Sequence, residues 1–101
     1  MSAIIVIPAR YKSNRFPGKP LVKLLKKPMI QWVAELSTRV VGKENVYIAT
    51  EDNQIKKAVE KMGYNVVMTS KNCLTGTDRL AEVAKKIEAD IYINVQGDEP
   101  L

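Results

Sequence analysis

The sequence predicts an α/β domain, a mostly parallel sheet with helices packed on its faces. Two observations carry this prediction. Four short β-rich runs alternate with segments whose apolar residues recur at helical spacing, in the order strand, loop, helix, strand, helix, strand, loop, helix, strand. Polar and charged loops leave the carboxyl ends of the first and last runs, where parallel sheets carry their chemistry. No repeat, linker or low-complexity stretch divides the chain, so residues 1–101 read as part of one domain.

The first run, residues 3–7 (AIIVI), is continuous and β-branched, as a strand covered on both faces requires. A basic loop at 8–20 follows. Pro28 suits the first position of a helix. Met29, Trp32, Val33, Leu36 and Val40 supply that helix with an apolar stripe, and Gly42 supplies its C-cap. Residues 46–50 (VYIAT) form the second strand. Glu51 and Asp52 bring negative charge to the start of a helix with Ile55, Ala58, Val59 and Met62 on one face and Gly63 at its end. Residues 65–69 (NVVMT) are the third strand, and 70–77 a polar loop. Leu80, Val83, Ala84 and Ile87 repeat the helical stripe, and 90–95 (DIYINV) form the fourth strand. Right-handed crossovers between these strands imply the doubly wound order 3-2-1-4. The first and fourth strands are then neighbours, and their loops face each other across the switch-point crevice.

Composition narrows the chemistry. The chain has no histidine and a single cysteine, Cys73, which excludes an internal disulfide, a Cys/His zinc site, a Ser-His-Asp triad and a Cys-His dyad. The net charge of +5 fits an anionic ligand. Aromatic content of 6%, with no basic stripe interleaved with aromatics, argues against a base-stacking nucleic-acid platform. The run 3–7 is too short for the core of a signal peptide, and no apolar run approaches membrane-spanning length, so a cytoplasmic location without a membrane partner is expected.

The basic loop, IPARYKSNRFPGKPL over 7–21, gathers Arg10, Lys12, Arg15 and Lys19 around Pro17 and Gly18. Neither a P-loop nor a dinucleotide fingerprint is present. Four cations on one loop repel each other, and a phosphate among them relieves that repulsion: Arg forks match its oxygens, and Lys adds a point charge. The bland alternative is a solvated cationic loop, which fits Lys12, Lys23, Lys26 and Lys27 better than Arg10, Arg15 and Lys19. The last loop, NVQGDEP over 94–100, carries adjacent Asp98 and Glu99. A carboxylate pair alone is usually a solvated turn. Beside a polyphosphate it holds Mg2+, a hard cation bound through one or two carboxylates plus phosphate oxygens. Asp98 is the stronger candidate, since Pro100 restricts Glu99 to an extended conformation. In the middle loop, Thr75, Gly76 and Thr77 offer hydroxyls and amides to a nucleobase edge. Thr77 equally suits a helix cap, with Asp78 in the first turn. Arg79 either pairs with Asp78 or Glu82 on the helix surface or reaches into the crevice.

In this order and spacing, IPARYKSNRFPGKPL, LTGTDRLAEV and NVQGDEP closely resemble the CMP-sugar nucleotidylyltransferases, over essentially all of residues 4–101. The last motif is more typical of the branch that activates 3-deoxy-D-manno-octulosonate (Kdo) than of the sialic-acid branch. The resemblance implies a Rossmann-like three-layer sandwich of the nucleotide-diphospho-sugar transferase type, here ending after the fourth strand. It implies transfer of CMP from CTP to an acidic sugar, Kdo or an analogue such as 8-amino-Kdo or a nonulosonate, with release of diphosphate. Mg2+ is the implied cofactor, a homodimer the implied assembly of a full-length member, and lipopolysaccharide assembly the implied biology. By the same resemblance, Arg10, Arg15 and Lys19 bind the triphosphate and Asp98 ligates Mg2+. Thr75, Gly76 and Thr77 border the cytosine, Gln96 sits near the reacting groups, and Arg79 lies near the nucleotide or sugar. Lys19, Arg10 and Asp98 then form the catalytic set. Family members are commonly more than twice as long, so these 101 residues alone are expected to bind nucleotide without turning it over. An inactive nucleotide-binding module is the rival reading.

Overall fold

The structure, a computed structural model, describes residues 2–10, 23–24, 27–70 and 76–95. Its elements run β1 (Ala3–Pro8), β2 (Lys23–Leu24), β3 (Lys27–Pro28), α1 (Met29–Val41), a 3-10 turn (Lys43–Asn45), β4 (Val46–Thr50), α2 (Asn53–Lys61), β5 (Asn65–Met68), α3 (Gly76–Lys86) and β6 (Ile91–Asn94). The main sheet has the order β5-β4-β1-β6, with all three pairings parallel. Counting its strands in sequence, this is the predicted order 3-2-1-4. The antiparallel β2–β3 pair, two residues on each side, was not foreseen. Such short pairs carry too few residues to show a period.

The parity of β1 produces the layers. Ile5 and Ile7 point to one face, where they pack with Val46 and Ile48, with Ile30, Val33 and Ala34 of α1, and with Ile55 and Val59 of α2. Ile4 and Val6 point to the other, against Ala49, Val67 and Val83, with Leu80 and Ile87 of α3 alongside. Successive side chains of a strand alternate between faces, so a strand covered on both sides is apolar throughout. The result is a three-layer α/β/α sandwich with α1 and α2 on one side and α3 on the other. Ile91 and Ile93, on the outer strand β6, are exposed.

Several boundaries and faces differ from the sequence reading. Pro28 closes β3 and stands at the N-cap of α1, one residue before its expected place. The inward stripe of α1 is Ile30, Val33, Ala34 and Ser37, and Val40 is 69% exposed. Ser37 is fully buried because its hydroxyl donates to the Val33 carbonyl at 2.8 Å, so the stripe accepts a polar residue that pattern reading puts outside. Ala84 also faces solvent. The third helix starts at Gly76, so Thr77 lies inside it and not at its cap, while Asp78 occupies the first turn as expected. The start of α2 follows the prediction closely. Asp52 is the N-cap, its Oδ1 accepting from the Gln54 and Ile55 amides at 2.8 and 3.0 Å. Gly42 and Gly63 follow α1 and α2 with φ near +86°, a conformation that side chains with a Cβ rarely adopt.

Candidate functional site

All four strands of the parallel sheet point the same way, so their carboxyl ends share one edge. Ala9, directly after β1, donates its amide to the Ala49 carbonyl at 2.9 Å and is buried. The next residue, Arg10, is exposed at that edge. After β6 the Val95 amide bonds to the Val6 carbonyl at 3.0 Å. Val95, the last described residue, therefore lies beside β1 near its carboxyl end, as the switch-point argument requires. Arg15, Lys19, Cys73, Thr75, Gln96 and Asp98 lie outside the described residues. Gly76 and Thr77 begin α3, and Thr77 is exposed.

Arg79 is neither on the helix surface nor free to swing. Its residue exposure is 1%, and its Nη1 donates to Thr69 Oγ1 at 2.7 Å. The same nitrogen stands 2.8 Å from Glu51 Oε2. That oxygen is buried, and Arg79 is its charge partner without an aligned hydrogen bond. Glu51 follows β4 directly and Thr69 follows β5 directly. The Thr69 amide in turn bonds to the Thr50 carbonyl at 2.9 Å. One guanidinium thus ties the exits of two strands to the first turns of α3. Two further links lie along the same helix. Glu82 accepts the Ser70 amide at 2.9 and 3.2 Å, and Lys86 Nζ donates to the Met68 carbonyl at 2.7 Å. Arg79, Glu82 and Lys86 fall at i, i+3 and i+7, one face of a helix.

Sequence reading missed Glu51 and Thr69 as members of this cluster. Glu51 carries a signal only in hindsight. Of two adjacent acids after a strand, Asp52 caps the helix, and Glu51 is left over at the chemical edge of the sheet. Among the described residues no group of three or more potential metal ligands occurs. Asp98, the expected Mg2+ ligand, lies outside them. No helix among the described residues is long and apolar enough to cross a membrane.

Comparison with known proteins places this geometry. A family model described as cytidylyltransferase matches residues 4–101. The chain belongs to the cytidylyltransferase family. It is 54% identical over 99 residues to the 3-deoxy-manno-octulosonate cytidylyltransferase of Escherichia coli, covering 98% of this chain and 40% of that protein. It is 51% identical over 104 residues to the 8-amino-3,8-dideoxy-manno-octulosonate cytidylyltransferase of a Shewanella strain, covering 100% of this chain and 42% of the relative. Among solved structures, the CMP:2-keto-3-deoxy-manno-octonic acid synthetase complexed with CTP superposes with a TM-score of 0.94 at 53% identity, over 99% of this chain and 42% of that one. A cytidylyltransferase from Leptospira borgpetersenii gives 0.83 at 30% identity, over 99% and 43%. The chain therefore spans about two fifths of the length of these relatives.

Proposed function

We propose that this chain supplies the CTP-binding part of a cytidylyltransferase that activates Kdo, converting CTP and Kdo to CMP-Kdo and diphosphate. The observation that carries the reading is the likeness in sequence and fold, over nearly the whole chain, to a Kdo-named synthetase complexed with CTP. The anomeric oxygen of the sugar attacks the α-phosphorus, the bond from that phosphorus to the bridging oxygen breaks, and diphosphate leaves while the hydroxyl proton passes to solvent. Such chemistry needs positioning and charge stabilisation, not a covalent nucleophile, which suits a chain without histidine. Arg10, Arg15 and Lys19 hold the triphosphate. Gly76 and Thr77, with Thr75 before them, border the cytosine, and Gln96 lies near the reacting groups. Asp98 is the Mg2+ ligand, and its hard oxygen donor matches that ion. Bound Mg2+ neutralises charge that builds on the phosphates. A homodimeric, cytoplasmic, full-length protein acting in lipopolysaccharide assembly completes the reading.

The 8-amino-Kdo analogue is the alternative sugar, favoured by the 51% identity to a relative named for it. Competition between the two sugars in a diphosphate-release assay on the full-length protein decides between them. The site assignment has its own test by calorimetry. Lys19→Ala is expected to weaken CTP binding by about tenfold or more, in line with loss of a charge-assisted phosphate contact. Asp98→Ala is expected to abolish the dependence of CTP binding on Mg2+. Wild-type affinity and Mg2+ dependence in both variants would show that the site is misassigned.

A further inference from the structure

We infer that Glu51 is a positioning residue for base recognition, acting through Arg79 and Thr69 on the first turn of α3. Three facts carry this. Glu51 and Thr69 leave adjacent strands of the sheet and converge on one nitrogen of Arg79, at 2.8 and 2.7 Å. Arg79 stands two and three residues after Thr77 and Gly76, within the first turns of α3. And Arg79 is buried, with a side-chain exposure of 2%, so its charge is committed to Glu51 and unavailable to an approaching anion. A buried guanidinium with fixed partners sets the position of its own backbone. Here that backbone carries the residues expected to meet the cytosine. The inference rests on the CTP reading, but it assigns Arg79 a role different from direct contact with nucleotide or sugar, and it adds Glu51 and Thr69 as residues that act through Arg79.

The clamp has a specific consequence. The triphosphate is held by the basic loop after β1, on a different strand, whereas the base is met at α3. Loosening the clamp must therefore affect the base and spare the phosphates. Calorimetric titration of the chain with CTP, with UTP and with inorganic tripolyphosphate, each in Mg2+, separates the two. Glu51→Gln removes the charge and keeps the shape. Thr69→Val removes only the hydroxyl acceptor and provides a milder lesion if the first variant folds poorly. In each, CTP affinity and the preference for CTP over UTP are expected to fall by about tenfold, as small misplacements of a recognition element do. Tripolyphosphate affinity is expected to stay within about twofold of the parent. An unchanged CTP preference overturns the inference, and so does an equal loss for CTP and tripolyphosphate, which is the mark of a purely structural ion pair. If the unmodified chain itself shows no preference for CTP over UTP, the functional reading fails first and takes this inference with it.

Discussion

The Glu51–Arg79 pair predicts an asymmetric double-mutant cycle. The Arg79 side chain is 2% exposed and that of Glu51 is 18% exposed. Removing one partner of a buried pair costs about 3–5 kcal/mol, because the survivor is left charged in a poor solvent. The two survivors differ here. After Glu51→Leu, the Arg79 guanidinium keeps Thr69 Oγ1 among the described residues and its side chain is 2% exposed, so the upper part of that range applies. After Arg79→Met, Glu51 turns its carboxylate toward solvent, and the loss should be smaller, about 2 kcal/mol. The double variant leaves no buried charge. Its remaining cost is the unmatched Thr69 hydroxyl and altered packing, about 1–2 kcal/mol. Two stability losses that far exceed their combination give a coupling of about 4–6 kcal/mol. Urea denaturation of the four proteins, with slopes checked for equality, measures it. Additive losses, or a costlier Arg79→Met than Glu51→Leu, would refute the burial argument.

Other expectations follow from the same structure. Asp52→Ala removes the acceptor of the Gln54 and Ile55 amides and should cost about 1 kcal/mol in thermal denaturation, with Asp52→Asn nearly neutral. A neutral Asp52→Ala would mean that other groups satisfy this helix end. Glu35 accepts from Lys27 Nζ at 2.7 Å and from Gln31 Nε2 at 3.1 Å. The hydrogen bond from Lys27 is the main reason that its carboxyl titrates below the ordinary 4.5. A carboxyl with a lowered folded value stabilises the fold above its unfolded value and loses that contribution as pH falls through the folded one. The Glu35 side chain is 39% exposed, so solvent screening holds the effect to a few tenths of a kcal/mol, on the order of 0.3. Glu35→Gln should therefore lower stability slightly at pH 7 and match the parent well below pH 4.5, and a difference that grows on acidification would contradict the sign.

The two central strands of the sheet were legible because they are covered on both faces. Ile4 to Ile7 and Val46 to Thr50 are buried or nearly so, and continuous β-branched runs have few other homes. Parallel pairing then followed from helices in every connection, and strand order from the handedness of crossovers. The register of α1 was harder to read. Val40 and Ser37 exchange their expected sides because a serine bonding to its own helix backbone passes as an interior residue, which hydropathy alone does not reveal. At the candidate site, the sequence indicated which strand ends lie side by side, and Arg10 stands exposed just after β1. The Arg79–Glu51–Thr69 cluster was not legible. Its members lie 10 to 28 positions apart, and only the pairing of β4 with β5 under α3 makes them neighbours. Local reading therefore left Arg79 between nearby acids on its own helix and the crevice, and read Glu51 with Asp52 only as negative charge at a helix start.

The most direct test of the central claim is calorimetric titration of the purified chain with CTP and then with ATP, each in Mg2+. Saturable binding of CTP and markedly weaker binding of ATP are expected if the basic loop takes any triphosphate and the start of α3 selects the base. Equal binding of both nucleotides would leave a phosphate site without a cytosine site. Binding of neither would contradict the claim that this half of a cytidylyltransferase fold holds a formed CTP site.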